Sequence, residues 1–162
     1  EEAHEAITYT IIDSYLGIKG PDRVIALRES ADRSLEEAAR ITDQVLAKVE
    51  SQRAKAGNHV DNSLYTGTYS DMWFGGIVIS EVNGSLRFNA VRSPRLRGEM
   101  LYYTGNTFII KWDDRSMDAD AYAVFTLDRE GRPSSIKMEA ISPLTDFSYD
   151  FHDLSLVRKK ED

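Results

Sequence analysis

The fold is predicted most directly by one stretch near the end of the chain, Asp146-Phe-Ser-Tyr-Asp-Phe-His-Asp-Leu-Ser-Leu-Val157. Every second residue from Phe147 to Phe151 is aromatic, so an extended strand would place three rings on one face. Leu154 and Leu156, which follow, are at even-numbered positions and would point to the opposite face of the same strand. A bulge near His152-Asp153 would bring both sets to the same interior and bend the strand. We therefore predict that this stretch is the closing strand of a small barrel.

Seven further short strands are predicted upstream from alternation and turn signals. Asn83-Gly84 is the strongest hairpin signal, and Gly105-Asn106 and Glu130-Gly131 mark two other turns. Eight antiparallel strands can close around an interior that is filled by side chains or holds one small ligand. The predicted fold class is mainly β, an eight-stranded antiparallel barrel preceded by two α-helices. The upstream strands are expected at Leu64–Tyr69, Gly76–Val82, Ser85–Val91, Met100–Tyr103, Phe108–Trp112, Ala121–Leu127 and Ser135–Ile141.

Residues 1–61 lack strand alternation and are predicted to form a helical appendage, with the barrel in residues 62–162. Gly17 and Gly20-Pro21 end the first helix. The second carries an apolar stripe from Val24 to Val49 and ends at Gly57-Asn58. We expect the long helix to be the docking element, with its stripe partly exposed or self-associated in the isolated chain. It could pack against its own barrel, another copy or another domain.

Composition excludes several classes of protein. The charge of −7 argues against a nucleic-acid surface, and the basic Arg158-Lys159-Lys160 is expected to be a solvated end. No apolar run approaches the roughly 20 residues of a membrane span. The absence of cysteine excludes disulfides, thiol catalysis and thiolate metal sites. The chain starts at Glu1, so we expect either a removed leader or a piece of a longer protein.

Two motifs suggest chemistry but fit it poorly. Ser134-Ser-Ile-Lys137 matches the Ser-x-x-Lys pattern of penicillin-recognising hydrolases, yet it enters a strand, where these two side chains point to opposite faces. The loop Asp113–Asp120 contains four aspartates that could bind calcium, but the spacing departs from the helix-loop-helix pattern. We predict no catalytic residue, no cofactor and no metal site.

His152 lies between Asp150 and Asp153. A Ser/His/Asp relay would need a serine that the fold brings alongside. A histidine that helps to pin the predicted bulge is the favoured interpretation.

Aromatic residues occur on most predicted strands. Rings in a small barrel usually form the core, although some could line a cavity for a small apolar ligand. Trp73-Phe74 lies near a turn and is the aromatic pair most expected to be exposed. The residues predicted to contact a ligand or partner are Trp73, Phe74, Tyr102 and Trp112.

Several segments, in this order and spacing, form a more specific pattern than any single motif. They are Leu64-Tyr-Thr-Gly-Thr-Tyr69, Gly75-Gly-Ile-Val-Ile79, Asn83-Gly-Ser-Leu86, Thr107-Phe108 with Trp112, Phe125-Thr-Leu-Asp-Arg-Glu-Gly131 and Asp146-Phe-Ser-Tyr-Asp-Phe-His-Asp-Leu154. The pattern resembles the lipocalin-like C-terminal domain, of unknown function, of bacterial beta-lactamase-related serine hydrolases. The first sixty residues resemble the helical connector of such proteins.

This resemblance implies a lipocalin-like barrel and a non-catalytic accessory role, because the serine, lysine and tyrosine of such hydrolases lie in the preceding domain. The implied partner is that catalytic domain, or another copy of this chain through the helices. The implied setting is the bacterial periplasm or the extracellular space, and the absence of cysteine is also compatible with the cytoplasm. A small-molecule or lipid-binding barrel is the alternative function.

Overall fold

A computed structural model describes residues 2–20, 22–55, 60–149 and 151–160. Contacts divide the chain into two compact units, residues 1–40 and 41–162. Among the described residues, no helix combines the length and apolarity needed to cross a bilayer. The helices are α1 (Glu2–Leu16) and α2 (Arg23–Arg53), and the strands are β1 (Gly67–Asp71), β2 (Gly75–Val82), β3 (Ser85–Ala90), β4 (Arg97–Thr104), β5 (Thr107–Trp112), β6 (Ala121–Leu127), β7 (Pro133–Ala140) and β8 (Leu156–Arg158).

The turn between the two helices is fixed by local hydrogen bonds. Gly17 adopts a positive φ of 65°, and the Ile18 amide donates to the Asp13 carbonyl at 2.9 Å, which ends α1. Asp22 caps α2, since its Oδ1 accepts the Val24 amide at 2.9 Å. The predicted end of the first helix at Gly17 is therefore confirmed. The predicted end of α2 at Gly57-Asn58 lies outside the described residues.

The eight strands form one closed barrel, with each strand antiparallel to its neighbours. This confirms the predicted fold class. At the β2–β3 hairpin, Asn83 and Gly84 have φ values of 53° and 81°, which is the two-residue turn whose twist matches the flanking strands. Strand pairing runs up to Val82 and Ser85 on either side of this turn.

Aromatic rings fill the barrel interior. The Tyr65 ring, at the entry to β1, lies edge-on to Phe108 and Phe125, with centroid distances of 4.9 and 4.8 Å. Phe88 and Trp112 meet in the same manner at 5.5 Å. Edge-to-face packing adds attraction beyond the burial of the rings. The prediction of a ring-rich core is therefore confirmed for Phe88, Phe108, Trp112 and Phe125. Tyr65 precedes β1, which begins at Gly67 and not at Leu64 as predicted.

The prediction of one long closing strand over residues 146–157 is wrong. Residues 147–149 and 151–153 form two 3-10 turns, and only Leu156–Arg158 is a strand. Asp146 Oδ1 accepts the Ser148 amide at 2.8 Å, and Asp71 Oδ2 accepts the Ser155 amide at 3.0 Å. These carboxylates satisfy backbone groups that would otherwise need a sheet partner.

The predicted bulge near His152-Asp153 is also absent, because the second 3-10 turn replaces it. Phe151, in this turn, and Leu156, after it, are both buried. The turn therefore brings the odd-numbered ring and the even-numbered leucine to the same interior without a bulge. His152 is exposed and pins no bulge. Asp150 and the Phe147 side chain lie outside what the structure describes.

The last third of α2 packs on the outside of the barrel. Val45 and Val49 are buried together with Ile109 of β5 and Ile141. Lys48 Nζ lies 3.9 Å from the centroid of the Tyr103 ring, which adds a cation–π contact. Earlier in the stripe the side chains are more exposed, 54% for Val24 and 60% for Leu35. The stripe is thus partly exposed, as predicted.

Arg158 stabilises the seam between β1 and β8, at which the barrel closes. Its guanidinium donates to the carbonyl oxygens of Thr66 at 2.6 Å, Leu64 at 2.9 Å and Pro133 at 3.3 Å. It also lies 5.7 Å from the centroid of the Tyr69 ring. One side chain thereby joins the entry to β1, the start of β7 and the short strand β8.

We predict that Arg158→Ala lowers the free energy of unfolding by about 2 kcal/mol, because it leaves three carbonyl groups without their charged donor. Urea unfolding followed by circular dichroism measures this loss. The control Lys160→Ala, at an exposed side chain, should change stability by less than about 0.5 kcal/mol. Equal midpoints for the two variants would contradict the role of Arg158.

Candidate functional site

A groove of about 570 Å³ opens at the barrel end that carries the β1–β2 turn. We call it the mouth groove. It lies between that turn and the two 3-10 turns that precede β8. Asp71 and Asp153 are among its polar residues, and its apolar lining is Met72, Trp73, Phe74, Leu96, Tyr149, Phe151 and Leu154.

Asp71 fixes the shape of the β1–β2 turn. Its Oδ1 accepts the amides of Trp73 at 2.7 Å and Phe74 at 2.9 Å, while Oδ2 accepts the Ser155 amide. The Phe74 amide foremost, and then the Ser155 and Trp73 amides, lower the pKa of Asp71. The turn is therefore held rigidly while the Trp73 side chain stays 93% exposed.

The structure brings together two of the four residues predicted to contact a ligand or partner. Trp73 and Phe74 line the mouth groove. Tyr102 lines a separate groove of about 410 Å³ at the opposite end of the barrel. Trp112 is buried in the core, where its indole N–H donates to the Ala119 carbonyl at 2.6 Å.

Sequence reasoning missed Tyr149 and Leu154 as groove residues, because it placed them on a strand. The signal that could have found them is Asp146-Phe-Ser148, in which an aspartate side chain two residues before a serine favours a turn. Recognition of that turn would have moved this segment from the barrel wall to the barrel end.

Aspartates of the acidic loop that precedes β6 form ion pairs with arginines. Arg115 binds Asp120 with two hydrogen bonds of 2.7 and 2.9 Å, Arg95 donates to Asp114 at 2.8 Å, and Arg87 pairs with Asp113. The Ser116 hydroxyl and then Arg95 lower the pKa of Asp114 to about 2. Within the described ranges, no group of three or more acidic or histidine side chains could hold a metal ion.

The Ser-x-x-Lys motif forms no nucleophile–base pair. Ser134 Oγ donates to the Thr126 carbonyl at 3.0 Å, and Lys137 is exposed on β7. The serine hydroxyl is therefore engaged with the neighbouring strand.

Helix α1 carries a second candidate surface, made of large apolar side chains. We call it the α1 surface. Ala6 is buried, and Asp13 accepts a 2.7 Å hydrogen bond from Arg23 at the start of α2. Most of the apolar residues of α1 are nevertheless exposed, namely Ile7 at 61%, Tyr9 at 47%, Ile11 at 55%, Ile12 at 43%, Tyr15 at 90% and Leu16 at 67%.

The family described as a domain of unknown function, DUF3471, matches residues 52–158. The chain belongs to this family. The DUF3471 match runs from the end of α2 to the end of β8 and so includes the mouth groove. No curated protein and no solved structure gives a significant match to the chain.

We predict that Asp71→Asn destabilises this DUF3471 domain at pH 7 and that the difference from the unchanged protein shrinks at low pH. The folded-state pKa of Asp71 lies below its unfolded value. Its ionised form therefore stabilises the fold above about pH 4, and this contribution is lost as the pH falls through the lower, folded-state pKa.

Urea unfolding of both proteins at neutral and acidic pH measures the difference. Asp153→Asn is the matched control, because it changes an exposed carboxylate on the other side of the same groove. A destabilisation by Asp71→Asn that is the same at every pH would contradict the role of the ionised carboxylate.

Proposed function

We propose that this DUF3471 chain is a non-catalytic accessory domain that acts by packing against a partner through its helices. The sequence predicts the long helix α2 as the docking element, but the larger exposed apolar area lies on α1, so we propose the α1 surface as the main contact. The observation that carries the proposal is the exposure of large apolar side chains around α1. A helix that is apolar on most sides is typical of a buried helix, and large exposed apolar patches mark interaction sites.

The arrangement of the exposed residues supports a broad contact. Ile7, Ile11 and Tyr15 recur every four residues and lie on one face of α1. Ile12 and Leu16 extend that face around the helix. The flank that contains Asp13 is engaged with Arg23, which also lies 5.8 Å from the centroid of the Tyr9 ring. Ile7, Ile11 and Tyr15 lie on the other side of α1 from this ion pair.

The charge of α1 favours a protein partner over a bilayer. Helices that lie in a membrane interface are rich in lysine and arginine, which attract anionic lipids. Between Glu2 and Ile18 the charged residues are Glu2, Glu5 and Asp13, with no lysine or arginine. A matching partner presents an apolar surface with a neutral or cationic rim.

We further propose that the partner is the catalytic domain of a beta-lactamase-related serine hydrolase. This step rests on the resemblance of the strand segments and helical connector to the C-terminal part of such proteins. The domain would pack near the active site, gate the entry of substrate or build an oligomer. The same proposal implies a periplasmic or extracellular setting in a bacterium.

The genomic reading frame upstream of Glu1 provides a first test. We expect it to encode, in frame, a hydrolase domain with a Ser-x-x-Lys motif. An upstream frame without such a domain would remove the proposed partner.

Binding of that hydrolase domain to this chain provides the second test. Ile11→Glu should weaken binding by roughly thirtyfold or more, because a carboxylate cannot enter an apolar contact. Ile11→Met keeps the apolar character, and Ser34→Glu adds the same charge at an exposed position on α2. Both controls should bind within about threefold of the unchanged chain. Equal binding of Ile11→Glu would contradict docking through α1.

The chain should not turn over substrates by itself. Ser134 is bonded to a backbone carbonyl and Lys137 is exposed, so this motif offers no activated serine. We expect rates at the buffer background for a panel of esters and beta-lactams. Turnover that is abolished by His152→Ala would overturn the non-catalytic assignment.

The second candidate function is a small-molecule binding barrel. The barrel interior gives little support to this function, because packed aromatic rings occupy the space that a lipocalin-type ligand would need. The mouth groove at the barrel end is the observation that favours it.

A further inference from the structure

We propose that the mouth groove binds a small organic cation, an alkyl- or aryl-ammonium compound. The site does not depend on docking through α1 or on the identity of any partner domain, because its described lining belongs to the barrel. These lining residues are Asp71, Met72, Trp73, Phe74, Leu96, Ser148, Tyr149, Phe151, Asp153 and Leu154.

The walls of the groove suit a cation with an apolar body. Trp73, Phe74, Tyr149 and Phe151 line it, and the rings of Tyr149 and Phe151 are 6.2 Å apart. The faces of aromatic rings attract ammonium groups, and tryptophan does so most strongly. The volume of the mouth groove, about 570 Å³, falls within the roughly 300–1,000 Å³ range of small-molecule sites.

The charged groups around the groove select for a positive ligand. Among the described lining residues, the ionisable ones are Asp71, Asp153 and Tyr149, and none is a lysine or arginine. Asp71 is engaged by three amides, whereas the Asp153 carboxylate is exposed to solvent and to a ligand. An anionic ligand would meet two carboxylates and no lining cation.

Two guanidinium groups lie near the groove without lining it. Arg95 is paired with Asp114 and Ser116. Arg92 Nη1 donates to the Trp73 carbonyl at 3.5 Å, and the Arg92 side chain packs close to Gly75. The Arg95 charge is therefore balanced by a carboxylate, and the Arg92 guanidinium binds the backbone of the turn without lining the groove.

The groove is also preorganised. The bonds from Asp71 to the β1–β2 turn and to the Ser155 amide connect its two walls before any ligand binds. A ligand then loses little free energy to ordering of the backbone. The indole of Trp73 is 93% exposed in this open groove, so most of its surface remains available for contact.

Isothermal titration calorimetry with benzyltrimethylammonium tests the proposal. We expect binding of this cation, with weaker binding of neutral benzyl alcohol and weaker binding still of anionic phenylacetate. Trp73→Ala should reduce the affinity roughly tenfold, because it removes the largest aromatic face. Asp153→Asn should reduce it roughly fivefold while it keeps the shape of the side chain. Val82→Ala, at an exposed apolar side chain on the opposite end of the barrel, should leave it unchanged.

Three outcomes would overturn the proposal. The first is no binding of benzyltrimethylammonium up to its solubility limit. The second is equal binding of the cation and benzyl alcohol, or equal binding by the Trp73→Ala and Val82→Ala variants. The third is binding of phosphatidylcholine vesicles without binding of the free cation, which would assign Met72 and Trp73 to a bilayer surface instead.

Discussion

Closure of the barrel depends on the seam between β1 and β8, where the shortest strand completes the sheet. β8 has three residues and pairs with β1 through Tyr69 and Ser70. So few ladder bonds give weak closure, and the Arg158 guanidinium strengthens it by binding carbonyls from three separate segments. Charge-assisted bonds of this kind are stronger than neutral ones. Burial of the aromatic core depends on this closure, because an open sheet would expose its ring-lined face to solvent.

A closed barrel of this size uses its inward side chains for its own core. Tyr65, Phe108 and Phe125 meet edge to face inside, which leaves recognition to the outside and the ends. Two of the open surfaces of the described chain carry the proposals made above. One is the α1 surface, whose apolar residues point to solvent, and the other is the mouth groove, where Asp71 holds Trp73 in place. The two surfaces differ in character, since one is broad and convex and the other is concave.

The sequence predicted the fold best where a feature is encoded locally. Asn83-Gly84 specifies a tight turn through the positive φ of both residues, and β6 has the predicted bounds. It failed over residues 146–157, where the aromatic alternation of a strand competes with side chain-to-backbone bonds from Asp146 and Asp71. The Asp71–Ser155 bond joins residues 84 positions apart, so no local pattern could reveal it.

Prediction of the candidate site was limited in the same way, because a sequence pattern does not show which residues meet in the folded barrel. Trp73 and Trp112 are both predicted to contact a ligand or partner, but Trp73 is exposed and Trp112 is buried. The difference arises because the Trp112 ring meets that of Phe88 in the barrel core and its indole N–H donates to the Ala119 carbonyl. Of the pair Trp73-Phe74, which was predicted to be exposed from its place near a turn, only Trp73 is exposed, and Phe74 is half-buried against the barrel core. The opposite wall around Tyr149 depended on the misassigned segment.

Hydrogen exchange of the α1 amides is the most direct measurement of whether α1 is a docking element. In the isolated chain, α1 should exchange much faster than β2 to β6, because solvent reaches most of its sides. Addition of the proposed hydrolase domain should slow exchange in α1 and leave the barrel strands unchanged. Protection of α1 equal to that of the barrel strands in a monomer, with no change on addition of the hydrolase domain, would contradict the account.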